Sequence, residues 1–167
     1  MAYPALSATN AVLAAVLLYA ALFKLVRPDP LHRALAELGP PSWIARAGTV
    51  RLLAVVEVLA GVGLTLRPTQ PVVAWVVGGL GVLFGAAGVV GLARRGSRPC
   101  GCLGTDGGRP LGVVNIAVGL LCVLAAAANL VTPAASVPGI TASLLLLACL
   151  WSHRDAASRL VRPARPT

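Results

Sequence analysis

The stretch from Val72 to Ala93 reads VVAWVVGGLGVLFGAAGVVGLA, 22 residues without one charged side chain. A predominantly apolar run of about 18 or more residues is long enough to cross a bilayer as an α-helix. Within it Gly78, Gly81, Gly85 and Gly88 recur at steps of three and four, and so share one helix face. In lipid, such a stripe lets a second helix backbone approach closely. Glycine is also common in membrane helices generally, but the regular spacing favours packing. This run therefore predicts a membrane-spanning helix built to touch another.

Working outward, the same reading repeats. Upstream, a second span runs from about Ala47 to Leu66 and carries Arg51 near its start and Glu57 near its middle. The tight turn Arg67-Pro68-Thr69-Gln70-Pro71 separates the two. A first span runs roughly from Thr9 to Val26, where Lys24 and Arg27 mark its end and Pro28-Asp29-Pro30 stops the helix. From Leu31 to Leu38, apolar Leu31, Ala34, Leu35 and Leu38 oppose His32, Arg33 and Glu37, which predicts a short amphipathic helix in the membrane interface. Gly39-Pro40-Pro41 ends it, and Trp43 suits the headgroup level.

Downstream, a polar loop from Arg94 to Arg109 leads to a fourth span, with Pro110 in its first turn and its end near Val131. Gly112, Asn115, Gly119 and Cys122 share one face there, small or weakly polar, which should look into a bundle. A fifth, shorter span ends at Trp151, and a basic tail follows. The predicted fold is all-α: an integral membrane helical bundle of four core transmembrane helices plus a fifth C-terminal span. Residues 1–152 form the membrane domain and residues 153–167 a basic tail.

Composition agrees. Of 167 residues, 57% are hydrophobic and 11% charged, and mean hydropathy is +0.86, whereas soluble domains carry about 25% charged residues. This excludes a soluble enzyme module. The net charge of +9 would suggest nucleic acid in a soluble protein. Here the arginines lie between apolar runs, so membrane topology explains them and no nucleic-acid partner is expected. With five spans, every one of the 14 lysines and arginines except Arg67 falls on one side. The positive-inside rule then puts the N-terminus outside and both the C-terminus and the Arg94–Arg109 loop in the cytoplasm. No basic region precedes the first apolar run, which reads as a retained helix rather than a cleaved signal.

The loop holds Cys100-Gly101-Cys102-Leu103-Gly104, where two of the four cysteines sit together. Cysteine Cα atoms two residues apart in a turn can fall within the disulfide window of roughly 4.4–6.8 Å, and Gly101 gives so small a ring its backbone freedom. A strained, accessible disulfide suits exchange better than stapling. Arg98 and its basic neighbours favour the reactive thiolate. Cys100 and Cys102 are accordingly the candidate redox pair, against two alternatives: loop cysteines without a role, or half of a metal site. Metal capture would need further ligands, and the spacing of His32, His153 and Cys149 ties none of them to the pair. No metal and no cofactor is assigned. The glycines at 104, 107 and 108 lack the Lys-Ser/Thr of a phosphate-binding loop, so nucleotide binding is not supported.

Glu57 is the second candidate feature. An ionisable group near mid-membrane costs about 2.5–3.5 kcal/mol even on permissive scales for charged residues, so it should face the bundle. It is either protonated or paired. Arg51, six residues away on the same helix, is turned off its face, so Lys24 is the better partner, through extended side chains or a water. The pair reads as an interhelical polar clamp or as a proton or substrate site. Asn115 reads as an interhelical hydrogen-bonding residue, and Cys122, deep in the fourth span, as a small inert packing residue.

Leu22-Phe23-Lys24-Leu25, Asp29-Pro30, Glu57 with Gly61, Cys-Gly-Cys-Leu-Gly at 100–104 and Asn115 together resemble the MauE family of methylamine-utilisation membrane proteins, related in general pattern to DoxX-like proteins. The resemblance spans about residues 9–131. The family pattern has a lysine late in the first span, a glutamate in the second, and a Cys-x-Cys-Phe-Gly loop before a helix that begins with Arg-Asn. Lys24, Glu57, Cys100, Cys102, Gly104 and Asn115 match it, while Leu103 replaces the aromatic residue and Val114 the arginine. The resemblance implies a thiol–disulfide relay or maturation role toward a redox protein of the methylamine dehydrogenase type, whose small subunit is rich in disulfides. A thioredoxin-like or redox-protein partner goes with that role. The competing reading is a non-enzymatic membrane scaffold or small-molecule carrier organised around Lys24 and Glu57.

Overall fold

A computed structural model describes residues 3–26, 31, 46–94 and 112–132. Among these, the chain forms four α-helices and no strand: α1 (Tyr3–Val26), α2 (Ala47–Leu66), α3 (Pro71–Ala93) and α4 (Val113–Val131). Each is long and apolar enough to cross a membrane. The fifth span, the basic tail, Cys149, the Cys100/Cys102 loop and the amphipathic segment beyond Leu31 lie outside the described residues. Leu31 itself is helical and buried.

Two boundaries differ from the sequence reading. Helix α1 starts at Tyr3 rather than Thr9, because Pro4 is tolerated in a first turn and Thr9 folds its hydroxyl back onto the Ala5 carbonyl at 2.9 Å. Helix α4 starts at Val113, not at Pro110. The Gly112 carbonyl takes the first helical bonds, from the amides of Asn115 (3.0 Å) and Ile116 (3.2 Å). The turn between α2 and α3 is as tight as its prolines suggest. The Gln70 amide donates to the Arg67 carbonyl at 3.1 Å, and Pro71 opens α3.

The helices run alternately up and down, joined as two closely packed pairs, α1 with α2 and α3 with α4; α1 meets α4, and α2 meets α3, along sparser seams. In α3 and α4 the glycine faces meet backbone to backbone. A Cβ added at Gly119 would lie 2.5 Å from the Gly81 carbonyl oxygen and 2.7 Å from the Gly85 nitrogen, and one at Gly88 would lie 2.8 Å from the Gly112 oxygen. Only hydrogen fits in that space. The α1–α2 pair uses the same device once, where Gly61 lies under Leu18 and the Ala14 carbonyl.

Where the pairs meet, Leu13 and Leu17, Ala60 and Leu64, Val77 and Phe84, and Cys122 and Ala125 belong to one apolar cluster drawn from all four helices. The outward face is also apolar: Leu52, Leu59, Leu66, Trp75, Val82, Val113 and Val131 are each more than half exposed. The polar side chains Asn10, Lys24, Glu57, Asn115 and Asn129 are instead buried inside. Polar groups within and greasy ones without is the arrangement that a lipid solvent selects.

Candidate functional site

Lys24 stands in the last turn of α1, where the helix dipole favours a cation. It turns inward rather than snorkelling to the membrane surface. Its Nζ donates to both carboxylate oxygens of Glu57, at 2.7 and 2.9 Å, and the two side chains are 1% and 0% exposed. The contact is direct and needs no bridging water. Arg51 is exposed and off this face, as its offset of six residues along α2 implies. Glu57 reaches the interior because Val50, Ala54, Glu57, Ala60 and Leu64 form the buried stripe of α2 at steps of three and four.

Phe84 of α3 completes this cluster from the second helix pair. Lys24 Nζ lies 5.8 Å from its ring centroid, within reach of a cation–π attraction. The ammonium thus touches both halves of the bundle, by hydrogen bonds to α2 and by the ring of α3. Nothing in the sequence marked Phe84, because an aromatic in an apolar run looks like any other core residue.

Asn115 lies on the inward face of α4 with Gly112, Gly119 and Cys122, all four of them buried. Its Nδ2 is the one buried side-chain nitrogen or oxygen without a hydrogen-bond partner among the described residues. Cys122 is free and fully buried in the core. Cys100 and Cys102 lie outside the described residues. No group of three or more His, Cys, Asp or Glu side chains suited to a metal occurs among the described residues.

A second polar contact had no counterpart in the sequence reading. Asn10 of α1 and Asn129 of α4 exchange two amide hydrogen bonds, each 2.9 Å, in a buried setting. The signal was present, since each is a lone amide within an apolar run and antiparallel spans bring the start of α1 level with the end of α4. Replacing Asn10 alone by leucine strands the Asn129 amide. The expected destabilisation is about 1–2 kcal/mol, the upper range for interhelical polar contacts in membranes. The Asn10→Leu/Asn129→Leu pair should be less harmful than the single change. Thermal unfolding in detergent checks this, and equal losses for the single and double variants would remove the pair's role.

Four apolar helices around a buried ion pair define a multi-pass membrane protein of helical-bundle type. The family model described as "Methylamine utilisation protein MauE" matches residues 2–133, most of the chain, and the chain belongs to the MauE family. The searches of curated proteins and of solved structures returned no match.

Proposed function

We propose that this membrane protein acts as a thiol–disulfide relay in the maturation of a redox protein, with Cys100 and Cys102 as the exchanging pair. The supporting observation is the packing at both exits of their segment. Residues 95–111 join α3 to α4, and those helices approach backbone to backbone at Gly88 and Gly112. The segment is thus carried by two helices that pack against each other as far as Gly88, five residues before the end of α3, and Gly112, just before α4. In the exchange, one cysteine thiolate attacks a partner disulfide, a mixed disulfide forms, and one partner thiolate leaves. The second cysteine then closes the ring and releases the other partner thiolate. The pair ends oxidised and the partner reduced, and the reverse sequence delivers a disulfide. A thioredoxin-like protein is the partner class, and the family's description supports methylamine utilisation as the pathway.

Topology follows from the charge distribution, with the N-terminus outside and the 95–111 segment in the cytoplasm. A single-cysteine variant retaining only Cys100 should resist a membrane-impermeant maleimide in intact cells and react after permeabilisation. Strong labelling of intact cells would overturn this orientation.

Replacing either Cys100 or Cys102 by serine should abolish client maturation as completely as replacing both, because one thiol cannot close the cycle. The lone cysteine should trap the partner as a mixed disulfide visible on non-reducing gels. Cys122→Ala should leave maturation intact. Full maturation by the Cys100→Ser/Cys102→Ser variant would defeat the relay. The alternative, a small-molecule carrier built on Lys24 and Glu57, would then take its place; the complete burial of that pair is the observation in its favour.

A further inference from the structure

We infer that Asn115 faces Lys24 across the α1–α4 seam as the third member of the ion-pair site, and that its free amide N–H is where the carbonyl oxygen of an uncharged, lipid-soluble molecule binds. The inference stands apart from the cysteine pair and holds whether or not that pair exchanges thiols.

The register comes from the Asn10–Asn129 pair. The alternating up-and-down order of the helices makes α1 and α4 antiparallel, and the two 2.9 Å hydrogen bonds set them level at that point. Along α1, Leu17 follows Asn10 by seven residues and Lys24 by fourteen; along α4, Cys122 precedes Asn129 by seven and Asn115 by fourteen. Two heptads keep each set near one helix face and cover about 21 Å on both helices. Asn10 thus stands level with Asn129, Leu17 with Cys122, and Lys24 with Asn115. All six side chains are buried, at 5% exposure or less, as a shared seam requires. Leu17 and Cys122 also belong to the same apolar cluster.

The ligand class follows from what the site lacks. Lys24 and Glu57 already neutralise each other, so a charged guest would bring an uncompensated charge into a low-dielectric interior. Asn115 Nδ2 is a buried donor without an acceptor, in the first turn of α4, where the helix dipole favours electron-rich atoms. The guest must therefore present an acceptor oxygen. Phe84 supplies an apolar wall beside Lys24, and α1 and α4 pack less closely than the helices within each pair. A neutral apolar molecule with a carbonyl group meets all of these conditions.

Two experiments test the two parts. Glu57→Gln leaves the Lys24 ammonium without its carboxylate and should lower the melting temperature. Adding Asn115→Asp returns a carboxylate to Lys24 if the two positions face each other, and should recover at least half of the lost temperature. A double variant no more stable than Glu57→Gln overturns the register. Should Glu57→Gln yield no folded protein, return of monodisperse protein in the double variant supports the register, and continued failure overturns it. For the ligand, isotope-labelled asparagine in nanodisc-embedded protein gives the Asn115 amide resonance, assigned by its loss in Asn115→Leu. Decyl methyl ketone should move it saturably, and undecane should not. Equal response to undecane means apolar partition only, response to undecanoate alone means an anion site, and no response means a hydrated amide. Each of those three overturns the carbonyl site.

Discussion

Glu57→Ala is expected to destabilise the folded bundle by about 3–5 kcal/mol, the range for removing one partner of a buried ion pair. The stranded charge causes more of this than the missing hydrogen bonds do. Lys24 is 1% exposed and donates to both Glu57 oxygens. Without them it keeps an ammonium against Phe84 and apolar neighbours, or loses its proton, or unwinds the end of α1 to reach the interface. Replacing both partners, as Lys24→Met/Glu57→Leu, removes the stranded charge and should recover much of the stability, since a buried pair and an apolar pair of similar volume differ little. Loss of function in that double variant, with stability retained, would make the pair a working site. Arg51→Ala is the control, because Arg51 is exposed. The measurement is thermal unfolding of purified protein in detergent. Glu57→Ala melting with the Arg51→Ala control would show that the charge is not confined.

The second large effect lies in the α3–α4 contact. Gly119→Ala places a Cβ 2.5 Å from the Gly81 oxygen and 2.7 Å from the Gly85 nitrogen, and both obstacles are backbone. No side chain can rotate out of the way, so the helices must separate along much of their length. The expected loss is about 1–3 kcal/mol for alanine and failure to assemble for leucine. Gly88→Ala should behave similarly, since its Cβ would meet the Gly112 oxygen at 2.8 Å. Gly79→Ala and Gly85→Ala should be neutral or slightly stabilising, because a Cβ at either position meets nothing within 4 Å and alanine is the better helix former. Size-exclusion profiles and melting curves of the four alanine variants would decide the matter. A uniform response would mean that the stripe acts through helix propensity and not through packing.

The glycine stripe shows what periodicity can and cannot settle. Spacing in the sequence put Gly78, Gly81, Gly85 and Gly88 on one face and predicted close approach. Only the packed pair separates Gly81 and Gly88, which have no room for a Cβ, from Gly85, whose backbone touches Gly119 while its own Cβ position is open. One face of a helix is wider than one line of contact. The α4 face of Gly112, Asn115, Gly119 and Cys122 was equally legible, because small and weakly polar side chains in an apolar run point away from lipid.

The sequence by itself determined the membrane class, the four long spans and the inward direction of Glu57, because each follows from transfer free energies that act residue by residue along the chain. It also carried the motifs of the MauE family. It offered Lys24 as a partner for Glu57 but left the reach between them open. Tertiary structure decided that they touch, at 2.7 and 2.9 Å, that Phe84 faces the ammonium, and that Asn10 meets Asn129. These depend on how far one helix slides and turns against another, and burial patterns specify the face of a helix but not its level. The level is set by where glycines let backbones meet and where buried amides find each other, and both are properties of pairs of helices.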